Sequence, residues 1–296
     1  MSNRCFVTNF DENYFEYACV LLRSLGNHYK KPIKVICMVP YDLRLREQEA
    51  IEAVDREHLD IEFRTADKFD SYVQDDRWSI NFHNTHHTRT ALIKLFISSI
   101  CHDYDEAVYV DSDAFITADP TDFIEHKLYG QKIVAYAEDT MTAAIDIGHP
   151  ERAYFNSGVF IADLNAWREG KLEEAFTEWA AENHANATHM PFAIEQTAFN
   201  AILYENWFPM SGNFNCFDSF SSMNQIYKNP VIVHFRGPAK PWTDNINYDR
   251  DRGPYDLEWR RVYDEVWGIE NLWRPNLDPP DPTMATAEYD DIEVKR

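Results

Sequence analysis

Two aspartates one residue apart, Asp111 and Asp113, close an apolar run: residues 107–117 read AVYVDSDAFIT. Ala107, Val108, Tyr109 and Val110 have strand-forming character, and Phe115 and Ile116 resume it at once. A continuous apolar run of this kind suits a parallel strand covered on both faces, and open α/β sheets bind ligands at the carboxyl ends of such strands. In an extended chain the two carboxylates would point to opposite faces, so both reach one ion only where the strand breaks into a turn. Their hard oxygens suit Mg²⁺ or Mn²⁺ carrying a diphosphate. The plain alternative is a surface turn that ends a strand.

Other stretches also carry chemistry. Lys94 is the one cation in TALIKLFISSI (residues 90–100), read as a helix that is apolar round most of its surface. It either snorkels to solvent or points at a ligand anion. In YFNSGVFIAD (residues 154–163), Asn156, Ser157 and Gly158 interrupt an aromatic and apolar run. Small polar residues at such a break suit sugar hydroxyls, and Gly158 permits a bulge or a close backbone approach. Glu195 and Gln196 fall on the first turn of a helix starting near Ile194, where the helix dipole favours a carboxylate and exposed donors meet ligands. A first-turn acid also needs no ligand to explain it.

VIVHFRGPAKPW (residues 231–242) is an apolar strand ending at His234, followed by a turn at Gly237 and by Lys240 on a loop that could close over an anion. A lone histidine at a strand end is ordinarily a core or surface residue, and the nearby lysine is what draws attention to it. His83, His86 and His87 have a spacing compatible with a metal, but residues 64–88 lack periodicity and read as a solvated connecting segment.

The elements that must position these residues alternate. RCFVTN (residues 4–9) is a first strand. Asp11 then N-caps a helix with Glu12 in its first turn, running through Tyr14, Ala18, Leu21, Leu22 and Leu25 to a stop at Gly26-Asn27. IKVICMV (residues 33–39) is a second strand, residues 43–58 form a helix with charges on its outer face, and residues 61–63 form a short third strand. Residues 132–137 add another strand, and the chain turns helical from Leu164. This alternation predicts an α/β protein with a Rossmann-like, doubly wound, mostly parallel sheet.

Composition narrows the partners. With 296 residues, 45% of them hydrophobic, the chain can bury a full core. A net charge of −22 argues against nucleic acid and against an anionic membrane surface. Five scattered cysteines without a Cys-x-x-Cys spacing predict a reduced, intracellular compartment. No apolar stretch approaches a membrane span and the start lacks an apolar signal core, so the reading is a soluble cytoplasmic protein. Residues 274–296 are rich in proline and acid and predict a disordered tail. The chain has only nine glycines and no Gly-rich phosphate loop, which leaves a metal with Lys94 and Lys240 to hold any phosphates.

Taken in order, VTN near the start, the apolar helix with Lys94, VYVDSDAFI, YFNSGVF, EQTAFN, WFPMSGNFN and HFRGPAKPW resemble glycosyltransferase family 8 over residues 4–245. The resemblance implies a single GT-A domain over residues 1–273, followed by the tail of 274–296. It implies a retaining transferase that moves a hexose from a nucleotide sugar, UDP-linked by expectation, to a hydroxyl acceptor, with a divalent metal on the donor diphosphate. By motif match, Asp111, Asp113 and His234 are the metal ligands, and an imidazole among oxygens favours Mn²⁺ over Mg²⁺. Thr8, Asn9 and Tyr14 fall where the family binds uracil and ribose, and Lys94 and Lys240 fall beside the diphosphate. Ser112, Asn156 and Ser157 fall on the donor, and Gly237 lies in the loop over the phosphates. Glu138 or Asp139 stands for a further carboxylate near the sugar.

Glu195 would then orient sugar hydroxyls, and Gln196 would lie beneath the anomeric carbon. An amide is a poor covalent nucleophile, so the resemblance favours same-face attack with a leaving-group phosphate oxygen accepting the acceptor's proton. The donor sugar, the acceptor and the oligomeric state, a homodimer among the options, are left open. Two rival readings stand beside this one. A haloacid dehalogenase phosphatase also opens with Asp-x-Asp, but wants Thr or Val where Phe115 stands. A non-catalytic protein on the same fold would bind the nucleotide sugar without turnover.

Overall fold

The computed structural model describes residues 3–40, 44–55, 57–65, 89–138, 153–183, 194–217, 229–236, 240–242 and 255–268. His83, His86, His87, Asp139, Gly237, the Glu138 side chain and the 274–296 tail lie outside the described residues. The strands are β1 (Arg4–Asn9), β2 (Ile33–Val39), β3 (Leu59–Thr65), β4 (Glu106–Val110), β5 (Ala114–Ile116), β6 (Ile133–Glu138), β7 (Tyr154–Asp163), β8 (Trp207–Pro209), β9 (Cys216–Phe217) and β10 (Ile232–His234). The helices are α1 (Phe15–His28), α2 (Leu45–Glu52), α3 (Ile97–Ile100), α4 (Thr121–Ile124), α5 (Leu164–Glu169), α6 (Leu172–Asn183), α7 (Ile194–Leu203) and α8 (Asp256–Trp267). A 3-10 segment, Arg89–Phe96, leads into α3.

Seven strands form one sheet in the order β3-β2-β1-β4-β7-β6-β8. β1 pairs in parallel with both β2 and β4, β2 pairs in parallel with β3, and β6 with β8, while β7 runs antiparallel to β4 and β6. The expected α/β class and mostly parallel sheet are therefore present. The order turns back between β1 and β4, and the crevice outside the strand ends at such a switch point is where open α/β sheets bind ligands. Asn9 ends β1 there and Val110 ends β4 beside it.

Alternate residues of each central strand feed two cores. Phe6, Val35, Val108, Val110 and Ile161 pack with α1 and α8 on one face. Val7, Ile36, Tyr109 and Phe160 pack on the other with the 3-10 segment, Trp167, Phe176 and Phe199. Burial on both faces explains why these strands read as unbroken apolar runs rather than alternating ones. A second, three-stranded sheet has the order β5-β10-β9. It carries the chain from the aspartates across to His234.

Several expected boundaries move. Asp11 does not cap α1: its side chain accepts from the Asn13 N–H at 3.0 Å, its carbonyl accepts from the Tyr14 N–H, and the helix starts at Phe15 with Glu16 as first-turn acid. Gly26 does not stop the helix either. It lies within α1 where a Cβ would fall 2.0 Å from Asp55 Oδ2, so close packing against the α2 to β3 connection explains the glycine. α2 is shorter and β3 longer than the sequence suggests. The Lys94 stretch is mostly 3-10 rather than α-helix. Among the described residues no helix is long and apolar enough to cross a membrane, and all five cysteines are free and buried.

Candidate active site

The turn that the two aspartates require is present. β4 ends at Val110, the Ala114 N–H donates to the Asp111 carbonyl at 3.0 Å, and β5 begins at Ala114. This reversal turns both carboxylates to one side. β10 then pairs antiparallel with β5, and its register sets His234 opposite Ala114. His234 Nε2 consequently lies 3.2 Å from Asp113 Oδ1 and 3.8 Å from Asp111 Oδ2. Ligand atoms of Asp111, Asp113 and His234 all fall within 4.8 Å of one another.

The other two carboxylate oxygens are occupied by lysines. Lys94 Nζ donates to Asp111 Oδ1 at 2.9 Å, and Lys240 Nζ donates to Asp113 Oδ2 at 2.5 Å. Lys94 is buried, lies 3.9 Å from Glu195 Oε1 and faces the Tyr109 ring at 5.0 Å. It points into the site and does not snorkel. Burial alone would lower its pKa, but Asp111 and Glu195 outweigh that and raise it, so it stays cationic. Burial would likewise raise the Asp113 carboxyl, yet Lys240 and His234 hold it well below the ordinary carboxylate range. Inner oxygens are thus left facing an imidazole nitrogen, with the outer ones neutralised. Only a proton or a cation makes that meeting of acceptors favourable.

Gly158 belongs to the same cluster. The Asp111 N–H donates to its carbonyl at 2.7 Å, and the β6–β7 pairing shifts register between Ala135 and Ala137, opposite Asn156 to Val159. The expected break is therefore a bulge inside a continuous strand. Ser157 and Asn156 lie buried beside it, with the Ser157 carbonyl 3.4 Å from Lys94 Nζ. Ser112 is buried within the aspartate turn.

Glu195 and Gln196 occupy the first turn of α7, as expected, and both are buried. Asn200 clamps that helix to β7: its Oδ1 accepts from the Phe155 N–H at 2.8 Å, and its Nδ2 donates to the Phe155 and Gln196 carbonyls. Gln196 Oε1 accepts from Asn156 Nδ2 at 2.9 Å and from the Ser157 N–H at 3.0 Å. Its amide oxygen therefore fixes the bulge.

At the end of β1, Thr8 and Asn9 point to opposite faces. Thr8 Oγ1 is buried without a hydrogen-bond partner among the described residues, which a bound group could supply. Asn9 Nδ2 donates to the Thr90 carbonyl at 2.8 Å, and its Oδ1 lies against the Tyr109 hydroxyl. That hydroxyl also meets Asp111 Oδ1 at 2.5 Å, and burial with the Asp111 charge holds the phenol well above its ordinary pKa, so it remains a donor. Tyr14 stands half-buried, edge-on to Tyr17 and Trp242. Trp242 stacks on Tyr17 at 3.8 Å and leans on Trp259 of α8 at 5.1 Å, which anchors the short segment that carries Lys240.

Three contributors carried no expected role. Asn215, wholly buried, meets His234 Nδ1 through Oδ1 at 3.0 Å. In the sequence Tyr109 reads as strand filler, and Asn200 as one polar residue at the end of EQTAFN. The signal for Asn215 was its place in SGNFN just before an apolar pair, but a polar residue there also reads as turn.

The chain belongs to glycosyl transferase family 8, whose model matches residues 5–246. It is 28% identical over 190 residues to General stress protein A of Bacillus subtilis (strain 168), a match covering 56% of this chain and 63% of that protein. It is 21% identical to Glycosyltransferase GlyD of Streptococcus pneumoniae serotype 4 (strain ATCC BAA-334 / TIGR4), covering 98% of this chain and 35% of that protein. The chain thus spans less than two thirds of the length of these relatives. In fold it is similar to galactosyltransferase LgtC solved in complex with donor and acceptor sugar analogs, with a TM-score of 0.72 at 18% identity, over 92% of this chain and 97% of that one. The GT-A architecture follows from that likeness, and the family match removes the phosphatase alternative.

Proposed function

We propose that this chain is a metal-dependent retaining glycosyltransferase that moves a hexose from a UDP-sugar to a hydroxyl acceptor. One observation carries the reading: Asp111, Asp113 and His234 converge at the switch point of the sheet with their outer oxygens already held by Lys94 and Lys240. The donor set fits a divalent cation of borderline hardness, two carboxylate oxygens and one imidazole nitrogen, which favours Mn²⁺ over Mg²⁺. When bound, such an ion would offset the negative charge that develops on a departing diphosphate.

The remaining work falls to the chain's own residues. Lys94 and Lys240 are cations fixed at the edges of the cluster, placed to attract the donor phosphates and to hold the carboxylates still. Thr8 and Asn9 at the end of β1, with Tyr14 nearby, would meet uracil and ribose, and Ser112, with Gly237 three positions before Lys240 in the sequence, would border the diphosphate. Asn156, Ser157 and Glu195 would face the donor sugar, and Glu195 would orient its hydroxyls. Gln196 presents an amide that cannot serve well as a covalent nucleophile, which supports same-face transfer with a phosphate oxygen of the leaving group taking the acceptor's proton.

The test is to incubate the protein with a panel of nucleotide sugars, with and without Mn²⁺, following free nucleoside diphosphate and any mass gain on the protein. Mn²⁺-dependent release of UDP that EDTA abolishes is the expected result. Saturable nucleotide-sugar binding with no release from any donor would overturn it in favour of the non-catalytic reading.

A further inference from the structure

A single chain of amides connects His234 to Gln196, and its polarity can be deduced from the backbone. Side-chain amides and imidazoles can each be turned over, so the direction of such a chain is fixed only where it meets groups that cannot reverse. Two such groups sit in the bulge of β7. The Ser157 N–H can only donate, so the Gln196 atom 3.0 Å from it is the oxygen, Oε1. The Gly158 N–H can only donate, so the Asn156 atom 2.9 Å from it is Oδ1. Asn156 Nδ2 must then face Gln196 Oε1, at 2.9 Å.

The next links follow. Asn156 Oδ1 also meets Asn215, at 2.9 Å, so Asn215 turns its Nδ2 toward it. Asn215 Oδ1 is therefore left for the ring, 3.0 Å from His234 Nδ1. An oxygen that only accepts requires a proton on Nδ1. In a neutral ring Nε2 is then bare, and Nε2 is the atom that faces Asp113 Oδ1 at 3.2 Å. Asn156, Asn215 and His234 are all buried, so water does not compete for these positions.

We propose that Asn215 is a positioning residue with two separable tasks: its oxygen sets the tautomer of His234, and its amino group holds Asn156 and through it Gln196. The inference rests on the metal reading of His234 for its consequence but not for its first test. One residue thus ties the ion-binding end of the site to the end assigned to the sugar, and two backbone N–H groups of the Gly158 bulge set the sense of the whole chain. Outer partners of metal-bound histidines commonly govern metal affinity in this way.

The tautomer is read directly, without metal, from the ¹⁵N shifts of ring-labelled histidines in the full-length protein, with His234 assigned by its loss in His234→Gln. A protonated Nδ1 is expected, and a bare Nδ1 beside a protonated Nε2 overturns the proposal even if neither Asn215 variant folds. The two tasks are separated by Asn215→Asp, which keeps an acceptor for Nδ1–H but loses the donor to Asn156, and by Asn215→Leu, which loses both. Mn²⁺ affinity by calorimetry should hold within about twofold in Asn215→Asp and fall about tenfold or more in Asn215→Leu. The preference for a UDP-sugar over UDP should fall in both. Equal Mn²⁺ affinities in Asn215→Leu and wild type, or an intact sugar preference in Asn215→Asp, would overturn it. Absence of Mn²⁺ binding in the wild type would sink the metal reading while leaving the tautomer result to decide the rest.

Discussion

A Cβ atom on Gly158 would lie 2.2 Å from Cε1 of His234 and 2.8 Å from Asp111 Oδ2. The His234 ring has little room to yield, since Asn215 holds its Nδ1 and Phe217 stands against it at 5.9 Å. Gly158→Ala should therefore push the imidazole away from the aspartates. Mn²⁺ affinity should fall about tenfold or more, as for a disturbed metal-ligand shell, with the far-UV spectrum unchanged. Calorimetric titration checks it, and unaltered affinity would mean the strand shifts in place of the ring.

Charge at Asp113 should be insensitive to mild acid. Lys240 and His234 overcome burial to hold its carboxyl below the ordinary value, so its contribution to stability is complete above about pH 4 and is lost only as pH falls through the lower folded value. The stability gap between wild type and Asp113→Asn, from urea unfolding, should be present at pH 5 and narrow at pH 3. A gap that widens on acidification contradicts the ion pairing. The same variant should abolish metal-dependent turnover.

Binding of UDP and transfer of sugar should come apart. Glu195→Ala and Gln196→Ala lie on α7, outside the Asp111, Asp113 and His234 cluster, and each leaves the Lys94–Asp111 and Lys240–Asp113 pairs in place, so both should bind UDP with Mn²⁺ almost normally while losing about a hundredfold or more in turnover. Lys240→Ala should weaken UDP binding itself. Weakened UDP affinity in Gln196→Ala with unchanged turnover at saturation would refute the assignment of the sugar end.

Trp259 is buried in α8 and supports Trp242, two residues after Lys240. Trp259→Ala should cost about 3–5 kcal/mol of stability, the usual range for emptying a buried aromatic site, and should also weaken UDP binding through displaced Lys240. A thermal melt beside a UDP titration measures both. A stability loss with unchanged UDP affinity would show that Lys240 does not depend on this anchor.

Much of this protein is legible in the order of its residues. Apolar strands alternating with helices fix an α/β sheet, because a strand buried on both faces must be apolar throughout, and AVYVDSDAFIT announces carboxylates at a strand end whatever surrounds it. The motif series leads to the family without coordinates. What the sequence leaves undecided is where long-range partners meet. Lys94 could face solvent or an anion until the 3-10 segment packs against β1 and α7 and leaves it the Asp111 side as outlet. His234 reads as an ordinary strand end until the β5–β10 register sets it beside Asp113. Gly26 reads as a helix stop because local propensity cannot see Asp55 pressed against it. Asn215, the last residue of SGNFN, reads locally as turn: its role is fixed by the Ser157 and Gly158 N–H groups, which lie more than fifty residues away along the chain and are brought to it only by folding.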